Sequence, residues 1–207
     1  MYRLINDFAQ PVVDSLPRDF LQNYEWLVQN VAQADELSYR KAYRRFWAMG
    51  PAQLSSNFYT AYFRSLKSSI GQPPELRDII QSLYESSTRR NGDQSIQFSF
   101  ATKLVHMTNR RLPIYDSRIA QFYCFQIPAG KMGLQDRIDK CMGIYAFLIQ
   151  EYRRVLERGL LTVAIQEFRR QFNPRNITDE KIVDSLIWAF VTLLNKEGLL
   201  KKAVVYS

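Results

Sequence analysis

Three observations predict an all-α fold for this 207-residue chain. Apolar side chains recur at spacings of three and four residues in nine successive stretches. No stretch rivals them with the two-residue alternation of a half-buried strand. Glycine and proline cluster between the periodic stretches, at Gly50-Pro51, at 71–74 and at 126–133. With 46% hydrophobic and 14% aromatic residues the chain can bury a core of its own, and no repeat of 20–50 residues is visible. The prediction is a single all-α domain of eight or nine helices spanning 1–207.

Each element has its own warrant. Residues 16–33 place Phe20, Leu21, Tyr24, Leu27, Val28 and Val31 on one face, with Ser15 as the N-cap. A second helix over 38–48 carries Arg40, Lys41, Arg44 and Arg45 beside Tyr43, Phe46 and Trp47. Residues 54–69 turn Phe58, Tyr62, Phe63 and Leu66 inward. The next helix runs from Pro74, pre-organised for a first turn, to Thr88. Residues 89–93 read as a loop.

The second half continues in kind. A helix over 96–108 leads into the extended segment 111–115, and Asp116 or Ser117 caps the helix that follows. Residues 126–133 form a connection. Over 134–156 the apolar positions Leu134, Ile138, Cys141, Tyr145, Leu148, Tyr152 and Val155 make a heptad seam. That seam serves either a homodimeric coiled coil or the packing of one long helix on its own domain. Cys141 on it reads as a buried small hydrophobe rather than a nucleophile. Helices over 160–171 and 178–195 complete the fold. Thr178 caps the last, Asp179 and Glu180 suit its positive end, and Gly198 ends it. Its apolar positions run nearly all round, which places it at the centre.

Composition excludes several kinds of chemistry. Two cysteines, Cys124 and Cys141, and one histidine, His106, fall short of the four ligands of a structural zinc site. There is no G-x-S-x-G, no phosphate-binding G-x-x-x-x-G-K-[ST] and no G-x-G-x-x-G. Neither a metal nor an organic cofactor is therefore expected. No window approaches 18 uninterrupted apolar residues, and the N-terminal stretch has no long apolar run, so a cytoplasmic location is expected.

Charge is uneven along the chain. Residues 1–100 hold 11 basic and 10 acidic side chains; residues 101–207 hold 17 and 10. A near-neutral half, 1–95, thus precedes a basic half, 96–207, and arginine outnumbers lysine 19 to 9. Arginine is the better bidentate partner for phosphate, so an anionic partner such as nucleic acid fits this balance. Arginine stems that merely cover apolar surface would fit it too.

The stretch Ser99-Phe100-Ala101-Thr102-Lys103 through Leu112-Pro113-Ile114-Tyr115-Asp116-Ser117-Arg118 resembles the active-site region of the helix-hairpin-helix DNA glycosylases. Those enzymes are all-α, with a hairpin, a proline-containing extended turn and an aspartate at the start of the next helix. The resemblance covers 96–122. It aligns Ser99 and Thr102-Lys103 with the end of the hairpin, and Asp116 with the aspartate. Ser99 and Ala101 stand where the family has hairpin glycines, and the interval from Lys103 to Asp116 is about one helical turn shorter.

The resemblance implies base-excision chemistry on double-stranded DNA and a place in DNA repair. Asp116 would stabilise the sugar cation or activate the nucleophile. Lys103 would be the amine that forms a Schiff base. Ser99, Thr102, Arg110, Arg111, Arg118 and Lys131 would hold the nucleic acid, with Tyr115 and His106 against the base. Ser99, Lys103, His106 and Arg110 share one polar helical face, which sets Lys103 at the rim of a cleft. The competing reading keeps Asp116 as an N-cap and Lys103 as a solvated charge. The chain would then be a non-catalytic interaction or scaffold protein with a basic surface.

Overall fold

The helix that is apolar nearly all round does lie at the centre. In the computed structural model, which describes residues 1–86, 91, 93–126 and 132–196, eleven α-helices enclose one hydrophobic core running from Ile5 to Val191. They are α1 (Tyr2–Asp7), α2 (Ala9–Asp14), α3 (Phe20–Gln29), α4 (Leu37–Phe46), α5 (Ser56–Ser68) and α6 (Leu76–Glu85). There follow α7 (Phe98–Thr108), α8 (Ser117–Phe122), α9 (Leu134–Glu157), α10 (Thr162–Phe172) and α11 (Asp179–Lys196). No β-strand occurs among the described residues, so the all-α prediction holds.

Two layers pack around this core. Helix α11 touches α1, α2, α8, α9 and α10, while α5, α6 and α7 form a second group joined to the first where α6 meets α9. Every residue of α7 from Phe98 to Met107 except Ser99 is buried. The seam residues Ile138, Cys141, Tyr145, Leu148, Tyr152 and Val155 are all buried within the one chain. The long helix therefore packs on its own fold through this seam, with Leu134 at its start partly buried. Among the described residues no helix is long and apolar enough to cross a membrane.

The count exceeds eight or nine because α1 and α2 precede the first predicted helix. Six residues each is too short for a periodic signal, and isolated helices of that length are unstable. Packing holds them: both lie against α10 and α11. Pro11 sits in the first turn of α2, where its missing N–H costs nothing.

Ser15 is not an N-cap. It closes α2, its hydroxyl donating to the Val12 carbonyl at 2.7 Å. Pro17 disfavours a helical Leu16, and α3 starts only at Phe20 with Asp19 at its N-cap. Pro74 likewise stands before α6 rather than in its first turn, since Glu75 is extended at the N-cap. Thr178 caps α11 as predicted, accepting from Lys181 N at 3.3 Å. The predicted helix end at Thr88, most of the 89–93 loop and of the 126–133 connection, and Gly198 lie outside the described residues.

Candidate functional site

The residues that build the site arrive on four helix ends. Helix α4 stops at Trp47 because Ala48 takes a left-handed conformation (φ 50°), a sharp stop that turns the chain aside. The Trp47 carbonyl, past the last helical turn, accepts a long hydrogen bond from Lys103 Nζ at 3.4 Å. Lys103 also donates to Ser99 Oγ one helical turn earlier, at 3.2 Å.

Thr102 fixes the next piece. Its buried hydroxyl accepts from Tyr115 N at 3.0 Å and donates to the Ser99 carbonyl at 3.0 Å. The extended 113–116 segment is thereby clamped along α7. At its end Asp116 caps α8, Oδ1 accepting from Arg118 N (2.8 Å) and Ile119 N (3.0 Å). No hydrogen bond to Asp116 Oδ2 is formed among the described residues.

Lys103 and Asp116 line one cleft of about 1030 Å³, together with Trp47, Tyr115, Lys181 and Asp184. Ser99 lines it too, and Arg45, Arg118 and Arg137 supply its guanidinium groups. All three tryptophans of the chain, Trp26, Trp47 and Trp188, are on its walls.

Two buried lysines dominate the electrostatics. Lys181 pairs with Asp184 at 2.6 Å, both side chains under a tenth exposed. Its ammonium lies 5.4–5.6 Å from the ring centres of Phe20, Tyr24 and Trp47, within the range of cation–π attraction. Burial raises the Asp184 carboxyl, and Lys181 opposes that rise. Lys103 has Phe100 at 5.0 Å and the same Trp47 ring at 5.7 Å, but among the described residues no carboxylate within salt-bridge distance. Burial pulls the Lys103 amine below the ordinary lysine value, against the upward pull of Asp116 and Asp184 and with the downward push of Lys181. Lys103 is therefore no solvated surface charge. Asp116 is an N-cap and a cleft residue at once.

Other predicted residues fall elsewhere. Thr102 is a clamp inside the fold, wholly buried, and does not face the cleft. His106 is sealed below it: Nδ1–H donates to the Leu112 carbonyl at 2.8 Å, and Nε2 accepts from the Tyr24 hydroxyl at 2.9 Å. It has no nitrogen left for a base. Arg110 reaches Asn176 Oδ1 at 2.7 Å and ties the end of α7 to the loop before α11. Arg111 is exposed away from the cleft, and Lys131 lies outside the described residues. Tyr115 does line the cleft. Cys141 reaches the cleft wall, but burial pushes its thiol up to about 11, in keeping with a packing role.

His106 carries a prediction of its own. Burial pushes it down to about 3, with Lys181 and Arg110 acting the same way. Between that value and the unfolded value near 6.5 the unfolded chain binds the extra proton. Its contribution is thus full above about pH 6.5 and lost as pH falls towards 3, on the order of a few kcal/mol. Urea denaturation from pH 7 to 4 should show that decline, and His106→Gln should flatten it.

The cleft also holds residues that the sequence did not single out. Lys181 and Asp184 interrupt a helix that is otherwise apolar nearly all round, and polar residues there are a legible sign of a buried pair. Arg45 and Trp47 come from the near-neutral half, and Arg137 from the polar side of the α9 seam; nothing local marked them. Among the described residues no group of three or more His, Cys, Asp or Glu could hold a metal ion. No known protein family, curated protein or solved structure matches this chain.

Proposed function

We propose that the chain binds double-stranded DNA across this cleft and excises a base turned out of the duplex, as a DNA glycosylase with lyase capacity. One observation carries the reading: the amine and the carboxylate that the sequence resemblance pairs line the same cleft. An amine nucleophile must shed its proton, and burial of Lys103 favours the neutral form. Its lone pair would attack the sugar C1′ while the glycosidic bond breaks, its electron pair leaving with the base. Ring opening would then give an imine. Asp116 Oδ2, free of the capping bonds, would stabilise positive charge building on the sugar. Base flipping needs stacking surface at the pocket, and Trp47, Phe98 and Tyr115 provide it.

The phosphate-holding set is redrawn from the sequence reading. Arg118 stays, Arg110 and Arg111 leave it, and Arg45 and Arg137 enter. Reversing Arg45, Arg118 and Arg137 together to Glu should weaken duplex binding at least tenfold and flatten its salt dependence. The same reversal at the exposed Arg111, Arg153 and Arg158 should do less. Equal losses in a fluorescence-anisotropy titration would show a diffuse basic surface and remove the cleft from the account.

A further inference from the structure

Among the described residues the buried lysines are Lys103 and Lys181, and they are held differently. Lys181 has a carboxylate partner, Asp184 at 2.6 Å. Lys103 is 7% exposed, and its hydrogen bonds go to neutral acceptors, the Trp47 carbonyl at 3.4 Å and Ser99 Oγ at 3.2 Å. Both are longer than the bonds a charged donor usually makes. The two lysine nitrogens also share the Trp47 ring as a neighbour, so a positive charge on Lys103 is repelled by the one on Lys181. With Lys103 uncharged, the described side chains lining the cleft still carry formal positive charge at Arg45, Arg118, Arg137 and Lys181 against negative charge at Asp19, Asp116 and Asp184.

We infer that Lys103 is a carbamylation site: its amine takes up carbon dioxide reversibly and becomes a lysine carbamate in the cleft. The Nζ lone pair forms the new N–C bond, one C=O π pair moves onto oxygen, and one N–H proton leaves to water. Nothing is oxidised or reduced, and dissolved carbon dioxide is the co-reactant. Only an unprotonated amine attacks, and burial without a paired carboxylate favours that form of Lys103. Carbon dioxide is small and uncharged, so it loses little on leaving water for so enclosed a position. The product carries one negative charge, which balances the formal charges lining the cleft, whereas an ammonium adds to their positive excess. Its nitrogen keeps one N–H for the Trp47 carbonyl, and the Ser99 hydroxyl can donate to the new carboxylate as well as accept. An exposed lysine, with a pKa near 10.4, is unprotonated to only about one part in a thousand at neutral pH. A carbamate has no basic lone pair and forms no imine, so carbon dioxide masks the amine that base excision would use. The carbamate itself needs only the buried amine and does not rest on that reading.

Isotopically labelled bicarbonate is the probe, and a carbon NMR spectrum of the full chain at neutral pH is the readout, because a carbamate carbon resonates apart from bicarbonate and carbon dioxide. The wild type should show a carbamate signal that saturates as bicarbonate rises. Lys103→Met keeps the length of the side chain without an amine and should lower that signal about tenfold or more. A signal unchanged in Lys103→Met would place the carbamate on the α-amine or a surface lysine and overturn the inference, and so would a wild type with no signal. A second measurement needs no variant: O-ethylation of the carbamate with a trialkyloxonium salt, then peptide mapping, should recover the ethyl carbamate on Lys103, and recovery only on other amines would overturn the inference. Borohydride trapping on a lesion duplex in buffer free of carbon dioxide tests base excision separately, so the two failures are distinguishable.

Discussion

Replacing Lys181 with Met should cost about 3–5 kcal/mol of stability, the largest structural effect expected of a single substitution in this chain. The ammonium lies 2.6 Å from Asp184 inside the fold, and its loss leaves a buried carboxylate whose one remaining hydrogen bond among the described residues comes from the Tyr152 hydroxyl at 3.4 Å. Desolvation of a lone charge then outweighs any gain from the apolar side chain. The sign of the pH dependence follows. With its folded value raised, Asp184 keeps its proton while the unfolded chain releases one, so the variant should lose stability as pH rises above about 4 and recover in acid. The double variant Lys181→Met/Asp184→Leu should regain most of the loss, because a buried pair is often neutral against apolar residues of similar volume. Urea denaturation at pH 7 and pH 5 checks all of this. A cost below about 1 kcal/mol would mean that water reaches Asp184 and that the cleft wall is open there.

Asp116→Asn should cut base release by about a hundredfold or more while changing duplex affinity only a few-fold. On the proposed reading the carboxylate does two separable things. Capping of α8 uses Oδ1 alone, and asparagine caps almost as well, so the variant should fold with little loss. Asp116→Ala removes the cap as well and should cost about 1 kcal/mol of stability. Removing a negative charge beside phosphates should, if anything, tighten binding. A variant that keeps full base release would reduce Asp116 to a cap, and single-turnover kinetics on a lesion duplex decides between the two.

Much of the fold was legible because it is written in local periodicity. The stripe of α5 predicts a buried face and all four of its residues are buried; six of the seven seam residues of α9 are, and on α3 Leu21, Tyr24 and Leu27 are, with Phe20 and Val28 partly so. What failed was settled by context. Helices α1 and α2 exist only through packing on α10 and α11, and a six-residue stretch carries no period to read. Ser15 has the chemistry of an N-cap, but the constraint that Pro17 places on Leu16 decides where α3 begins.

The site was legible in part, for a related reason. Lys103 and Asp116 belong to a contiguous stretch whose spacing is local, and they do meet at one cleft. His106 shares the helical face of Lys103, yet α7 is buried almost all round, so a common face there does not mean a common exposure. Arg110 leaves the site because Asn176, far along the chain, captures it. Trp47, Arg45 and Arg137 enter because tertiary packing brings the end of α4 and the start of α9 to the cleft. The charge imbalance between the halves of the chain did not mark Arg45, which comes from the near-neutral one.

The central claim is that Lys103 is a reactive amine in a cleft that receives a nucleotide. Borohydride trapping tests it most directly, because only an imine formed between an amine and the sugar is reduced to a stable covalent adduct. The full chain would be incubated with borohydride and duplexes carrying uracil, an oxidised purine, an alkylated purine or an abasic site, and the adduct located by peptide mapping. The account predicts an adduct on Lys103 with at least one duplex, lost in Lys103→Ala. No adduct across the panel, or one that persists unchanged in Lys103→Ala, would contradict it.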